Sequence, residues 1–300
     1  MKPPSDLAHK GTAVEEWLDL RFFRPVGIRI ARALAPTGTS ADQVTAWSLA
    51  IGLVAGHLFA YPGRRAAVLG FALFIMSDVL DSADGQLARL RGTSSRLGRT
   101  LDGINDSVRF LNLYCHLIYR LIRAGWWWPG AVVLVACAGL AHTYQSAAVD
   151  FVRNAFLRLG IGSGGELDLP EDLSTDTGGS VLERFAARVY RDYVLRQSQF
   201  FAWSIRLVRL LRRSGSTEAF RAEYRARQGS LLPLCGWLGQ NIRFLLLGVA
   251  ALLGQTPAFL WVEAVPLSLL LLVLIVLHER NASSLAAALG VEHRAYARIA

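Results

Sequence analysis

The chain has 300 residues, 53% of them hydrophobic, with a mean hydropathy of +0.33. That is too apolar for an ordinary soluble domain of this length. A net charge of +9 on such a chain points to anionic lipid headgroups before nucleic acid, for which no module is visible. The three cysteines, Cys115, Cys137 and Cys235, are widely spaced within or beside apolar runs. They read as small buried hydrophobes and exclude a disulfide framework or a zinc pattern.

In chain order, residues 1–12 are polar. No cleavable signal peptide is expected, because the first apolar span comes late and follows an arginine-bearing stretch. Residues 14–34 mix aromatics with Arg21, Arg24, Arg29 and Arg32. They predict an interfacial helix, broken near Pro25, on the cytoplasmic leaflet, with a soluble docking helix as the alternative. Asp42 is the expected N-cap of a first span over residues 44–61. Further spans are predicted over 66–84, 101–122, 131–152, 233–253 and 258–277. Trp126, Trp127 and Trp128 mark the far interface as an aromatic belt would.

The fold class is therefore all-α, a polytopic membrane protein with six transmembrane helices plus interfacial amphipathic helices. Four regions follow: an N-terminal interfacial helix over 1–35, spans one to four over 36–155, a cytoplasmic basic insertion over 156–232, and spans five and six with a tail over 233–300. Most of the 32 lysines and arginines fall on one side if the turn after the second span and both termini are cytoplasmic, and this sets the orientation. Within the insertion, residues 160–180 read as a flexible loop whose acids (Glu166, Asp168, Glu171, Asp172, Asp176) are solvated. Residues 181–213 interleave arginine with aromatics and suit a pair of basic helices lying along the headgroups or docked onto the membrane domain.

The chemistry concentrates in residues 81–106, DSADGQLARLRGTSSRLGRTLDGIND. Residues 66–90 read as one helix and 98–121 as a second, joined by a short polar turn. At 100° per residue Asp81, Asp84, Gly85, Ala88 and Arg89 share an arc of about 140°. On the second helix Asp102 and Asp106 stand one turn apart, with Gly98 and Arg109 on their face. Helices joined so closely are expected to be neighbours, so the two carboxylate pairs can converge. Clustered hard oxygens suit a divalent cation, and a diphosphate is its usual partner. Gly85, Ala88 and Gly98 keep bulk off this face. Asp78, on its flank, is either a further ligand or a hydrogen-bond partner of one. The plainer reading, acids pairing with Arg89, Arg91 and Arg99 at a helix end, must explain why acids lie beside membrane spans at all.

The pattern Asp81-x2-Asp84-Gly85-x2-Ala88-Arg89-x8-Gly98-x3-Asp102-x3-Asp106 resembles the signature of the CDP-alcohol phosphotransferases, also called CDP-alcohol phosphatidyltransferases, at all eight positions. One departure is the lead-in to the first span, where Ser40 and Ala41 follow Thr39 in place of the family's Thr-Pro-Asn. The resemblance implies transfer of a phosphoalcohol group from a CDP-alcohol to a hydroxyl acceptor with release of CMP. It also implies one or two Mg²⁺ or Mn²⁺ ions on Asp81, Asp84, Asp102 and Asp106, with Asp106 as general base. Gly85, Ala88, Arg89 and Gly98 would contact the nucleotide. The donor expected for a membrane-embedded site is CDP-diacylglycerol, and a homodimer is implied by relatives. A CDP-choline or CDP-ethanolamine phosphotransferase acting on diacylglycerol is the alternative, and outside the class a transporter with an acidic intramembrane site. For the acceptor, Arg109, His142, Gln145 and Arg153 are the candidate anion-binding residues, with Arg243 a possible addition; inter-span salt bridges, such as Asp150 with Arg153, are the competing reading.

Overall fold

The computed structural model describes residues 14–93, 96–162, 165, 167–173 and 180–288; for 96–102, 182, 213 and 214 the backbone alone is described. Its α-helices are α1 (Arg24–Leu34), α2 (Ala41–Leu58), α3 (Arg64–Arg91), α4 (Arg96–Arg123), α5 (Trp128–Ala155), α6 (Val181–Phe200), α7 (Ala202–Ser214), α8 (Glu218–Gln228), α9 (Leu232–Trp237), α10 (Gln240–Leu252), α11 (Thr256–Ala264) and α12 (Pro266–Ala288). No strand occurs among the described residues.

Four helical stretches are long and apolar enough to cross a membrane: Arg64–Arg91, Trp128–Ile161, Glu218–Leu252 and Thr256–Ala288. Leu111, Val133, Leu140, Leu269 and Leu272 stand exposed on the outward helix faces, as lipid contact requires and water does not. The protein is an all-α polytopic membrane protein. The stretches read as spans one and three, α2 and α4, fall outside those four. Asp42, Gln43 and His57 dilute α2, and Asp106, Arg109 and Arg120 dilute α4. In α4 the side chains of Arg109 and Arg120 are buried, whereas Asp42, Gln43 and His57 of α2 are exposed.

Several elements differ locally from the sequence reading. Ser40, not Asp42, caps α2: its hydroxyl accepts from Gln43 N–H (3.2 Å) while Gln43 Oε1 accepts from Ser40 N–H (2.9 Å). A reciprocal cap satisfies two otherwise orphaned amides. Pro25 breaks nothing, because a π-helical turn, Asp19–Phe23, runs straight into α1 and leaves Pro25 at its start, where the missing N–H is tolerated. The fifth predicted span divides into α9 and α10 at Leu238 and Gly239. A methyl group on Gly239 would overlap the Glu16 carboxylate, which sits against this helix start. The sixth divides at Val265, before Pro266, and continues to Ala288. Cys115 and Cys137 face outward, and only Cys235 is buried.

Helix α2 organises the site end of the molecule. It packs against both α3 and α4, while α3 and α4 scarcely touch each other. Ser48 and Ser77 lock α2 to α3 by exchanging hydroxyl-to-carbonyl hydrogen bonds (2.9 and 2.8 Å). Gly52 and Gly56 let α4 approach α2, the first against Arg109 and the second against Asn112. Helix α1 lies on α3 through Gly27. Arg91, in the last turn of α3, gathers the α1–α2 connection by donating to the carbonyls of Leu34, Ala35, Thr37 and Thr39.

The insertion packs onto the rest. Phe201, Ile205, Phe220 and Tyr224 share one core with Phe151, Val152 and Leu274 of α5 and α12. Glu279 of α12 accepts from the N–H groups of Trp203 and Ser204 at the start of α7, where a carboxylate is favoured. The acids of the predicted loop are tied down where they are described. Asp168 accepts from Tyr190 (2.7 Å), Glu171 pairs with Arg209 (2.7 and 2.9 Å), and Asp172 pairs with Arg212 (2.7 Å). Glu166 and Asp176 lie outside the described residues.

Candidate active site

Arg109 is the hub of the site. Its side chain is 1% exposed and reaches from α4 to α3. Nη1 donates to Ser77 Oγ (2.6 Å) and to Asp78 Oδ1 (3.0 Å). Nη2 reaches Asp81 Oδ1 (3.5 Å) and also the carboxylate of Asp106 on its own helix. One nitrogen thus contacts an acid of α3 and an acid of α4, one from each of the two pairs. A planar guanidinium with five donors can hold three carboxylates and a hydroxyl at once, which an ammonium could not. Gly52 makes the geometry possible, since an added Cβ there would lie 2.5 Å from Arg109 Cδ and 2.9 Å from Ser77 Oγ.

The carboxylates are not equivalent. Asp81 and Asp106 are part-exposed, at 23% and 33% of their side chains. Asp84 is buried and accepts from Thr45 Oγ1 at 2.5 Å. Asp78 is buried between Arg109 and Gln240, whose Nε2 lies 3.5 Å away. It therefore stands behind the open acids as a partner of their counter-charge. Among the described residues no three His, Cys, Asp or Glu side chains form a ready metal cluster. For Gly98 and Asp102 the backbone alone is described. Carboxylates from two helices, those of Asp81 and Asp106, contact the same nitrogen of Arg109, and hard oxygens of this kind are what a divalent cation takes.

Gly85 leaves open space, its added Cβ meeting only Arg89 Nη1 at 3.5 Å. Ala88 and Arg89 are part-buried on the same helix. This open face of α3 begins one turn beyond Asp81.

The four acceptor candidates are not brought together. Arg109 is consumed by the acids. His142 Nδ1 shares a hydrogen bond with Tyr114 OH (3.1 Å), and its ring packs edge-on against Phe110. Gln145 Oε1 accepts from Arg243 Nη2 (2.6 Å), and Arg243 Nε in turn donates to Glu263 (2.8 Å), all three buried. Arg153 pairs with Glu16 (3.2 Å) rather than with Asp150, which accepts from Tyr193. Burial pushes the Glu16 carboxyl above its usual range despite Arg153 beside it. A shared helical face put His142, Gln145 and Arg153 in register, but different neighbours claim each: α4, α10 and the N-terminal segment. Sequence reasoning missed Thr45, Glu263 and Asn105. Glu263 had a signal, an acid in an apolar span, and Asn105 had one in its place three residues after Asp102. Thr45 had none.

Comparison with known proteins bears on this geometry directly. Residues 38–155 match the CDP-alcohol phosphatidyltransferase family profile. A phosphatidylinositol phosphate synthase of Mycobacteroides abscessus is 30% identical over 176 residues, 55% of this chain and 72% of that protein. The chain belongs to the CDP-alcohol phosphatidyltransferase family. A CDP-diacylglycerol–serine O-phosphatidyltransferase of Methanocaldococcus jannaschii is 30% identical over 102 residues, which are 34% of this chain and 46% of that relative. The matched region thus spans about half of that second relative's length. The stretch matched by the family profile, residues 38–155, contains the four signature aspartates, the capped start of α2 and Arg109, and the insertion and α9–α12 lie outside it.

Proposed function

We propose that the protein transfers a phosphatidyl group from CDP-diacylglycerol to the hydroxyl of a small polar acceptor, releasing CMP, at a site open to the cytoplasm. The observation that carries this is the meeting of Asp81 and Asp106 at Arg109, beside the open glycine face of α3. The names of both relatives denote phospholipid synthesis, and one names CDP-diacylglycerol as donor. This supports that donor over CDP-choline or CDP-ethanolamine.

Asp81, Asp84, Asp102 and Asp106 are the residues that would hold Mg²⁺ or Mn²⁺. Such an ion, when bound, neutralises the diphosphate and the departing CMP. Thr45 fixes the orientation of Asp84 by its hydrogen bond. Arg109 holds Asp81 and Asp106 at set positions and keeps three neighbouring acids compatible in a low-dielectric interior. Asp106, the more exposed of the two, takes the proton of the acceptor hydroxyl as it attacks phosphorus. Gly85, Ala88, Arg89 and Gly98 admit and orient the nucleotide. Of the four acceptor candidates, Arg153 keeps a part-exposed guanidinium and is the one left to meet a phosphorylated acceptor.

The test is CMP release by purified protein from CDP-diacylglycerol with Mg²⁺ or Mn²⁺, across glycerol phosphate, inositol, inositol phosphate and serine. Release that depends on one of these acceptors and on the ion is expected. No release with any of them, from protein shown to be folded, overturns the proposal.

A further inference from the structure

Asn105 is 5% exposed, and neither its Oδ1 nor its Nδ2 finds a hydrogen-bond partner among the described residues. Leaving both ends of a buried amide unpaired costs about 1–3 kcal/mol for each polar group. An apolar residue would avoid that cost. Position explains the amide better than packing does. Asn105 lies one turn before Arg109 and shares the face that carries Asp106 and Arg109. Helices α2 and α4 run parallel here, since Gly52 meets Arg109 and Gly56 meets Asn112. One turn earlier, that register sets Asn105 level with Ser48, one turn short of Thr45, which is bonded to Asp84.

We propose that Asn105 is a substrate-binding residue whose carboxamide holds a substrate hydroxyl beside Asp106. The inference rests on the transferase reading and adds a specificity residue to it. The chemistry of the amide selects the ligand class. It offers one acceptor and one donor side by side, and both must be used. Phosphate and ester oxygens only accept, leaving Oδ1 unpaired; a cation or an ammonium would leave Nδ2 unpaired. A hydroxyl both donates and accepts. The base of the nucleotide also presents both, but Gly85 and Ala88, the positions assigned to the nucleotide, lie further along α3 toward its end. The hydroxyl belongs either to the acceptor alcohol or to the ribose of the donor.

The experiment compares wild type with Asn105→Leu and Asn105→Ser. It measures KM for acceptor and donor separately, and melting temperature with and without CMP. Asn105→Leu is expected to raise one KM about tenfold or more while the ligand-free protein melts no lower than wild type. Asn105→Ser, which keeps a hydroxyl, should lie between; it carries the test alone if the leucine variant does not fold. A rise confined to the acceptor KM assigns the acceptor hydroxyl. A rise in the donor KM with weaker stabilisation by CMP assigns the ribose. Both KM values unchanged in both variants overturns the inference and leaves the transferase reading standing. A wild type that releases no CMP overturns that reading, and this inference with it.

Discussion

Replacing Arg109 by Met tests the architecture of the site most severely. The side chain keeps an unbranched stem as far as the Nε position and loses the guanidinium that is 1% exposed and bonded to Ser77, Asp78, Asp81 and Asp106. Asp78, buried at 9% exposure, is left without its cation, and Asp81 and Asp106 face each other uncompensated. Breaking a buried pair from one side costs about 3–5 kcal/mol, because the remaining charge stays desolvated. That is a factor of about 150 to about 5,000 in the ratio of folded to unfolded protein. The assay is thermal unfolding in detergent with and without Mn²⁺, alongside CMP release. Arg109→Met should melt well below wild type, recover part of the difference in Mn²⁺ as a divalent ion takes over the counter-charge, and lose turnover. Arg109→Lys should be intermediate, since one ammonium cannot span all three acids. A methionine variant that melts with wild type in both conditions and turns over normally would refute the reasoning.

Other predictions follow from single contacts. Thr45→Val removes the donor to Asp84 and should lower kcat about tenfold or more, a charge-assisted bond being worth about 1.5–3 kcal/mol, whereas Thr45→Ser should retain most activity in the same assay. Gly52→Ala should displace the Arg109 stem and lower kcat about a hundredfold with little change in donor KM; a wild-type kcat would show that the stem has room. Asp106→Asn should abolish turnover while CDP-diacylglycerol binding persists, read by equilibrium binding. The pairing with Arg209 holds Glu171 down to about 2. A depressed carboxylate contributes its stabilisation fully above its unfolded range and loses it as pH falls toward the folded value. Cleavage of residues 167–173 by an acid protease should therefore accelerate as pH drops from about 4.5 to 2, and Arg209→Ala should be cut readily throughout.

The helices that carry the signature were legible because their periodicity and stops are local. Residues 66–90 and 98–121 became Arg64–Arg91 and Arg96–Arg123, and the first ends at Gly92 in a left-handed conformation that glycine favours. The acids were legible because i, i+3 and i, i+4 spacings fix a face whatever lies opposite. What lay opposite was not. Arg109 sits on the predicted face, but its burial among carboxylates depends on Gly52 of another helix. The same holds for Gln145, which meets Arg243 through a contact 98 residues away in sequence. The break between α9 and α10 depends on Glu16, more than 200 residues earlier. Each is a tertiary event that no window of sequence contains.

The central claim is that acids from two helices serve one cation. Its most direct measurement is Mn²⁺ binding, followed by electron paramagnetic resonance, to wild type and to Asp81→Asn and Asp106→Asn. The account predicts saturable binding that either substitution weakens, since each helix supplies ligands to the same ion. Binding unaffected by one of the two substitutions, or no binding by the folded wild type, would contradict it.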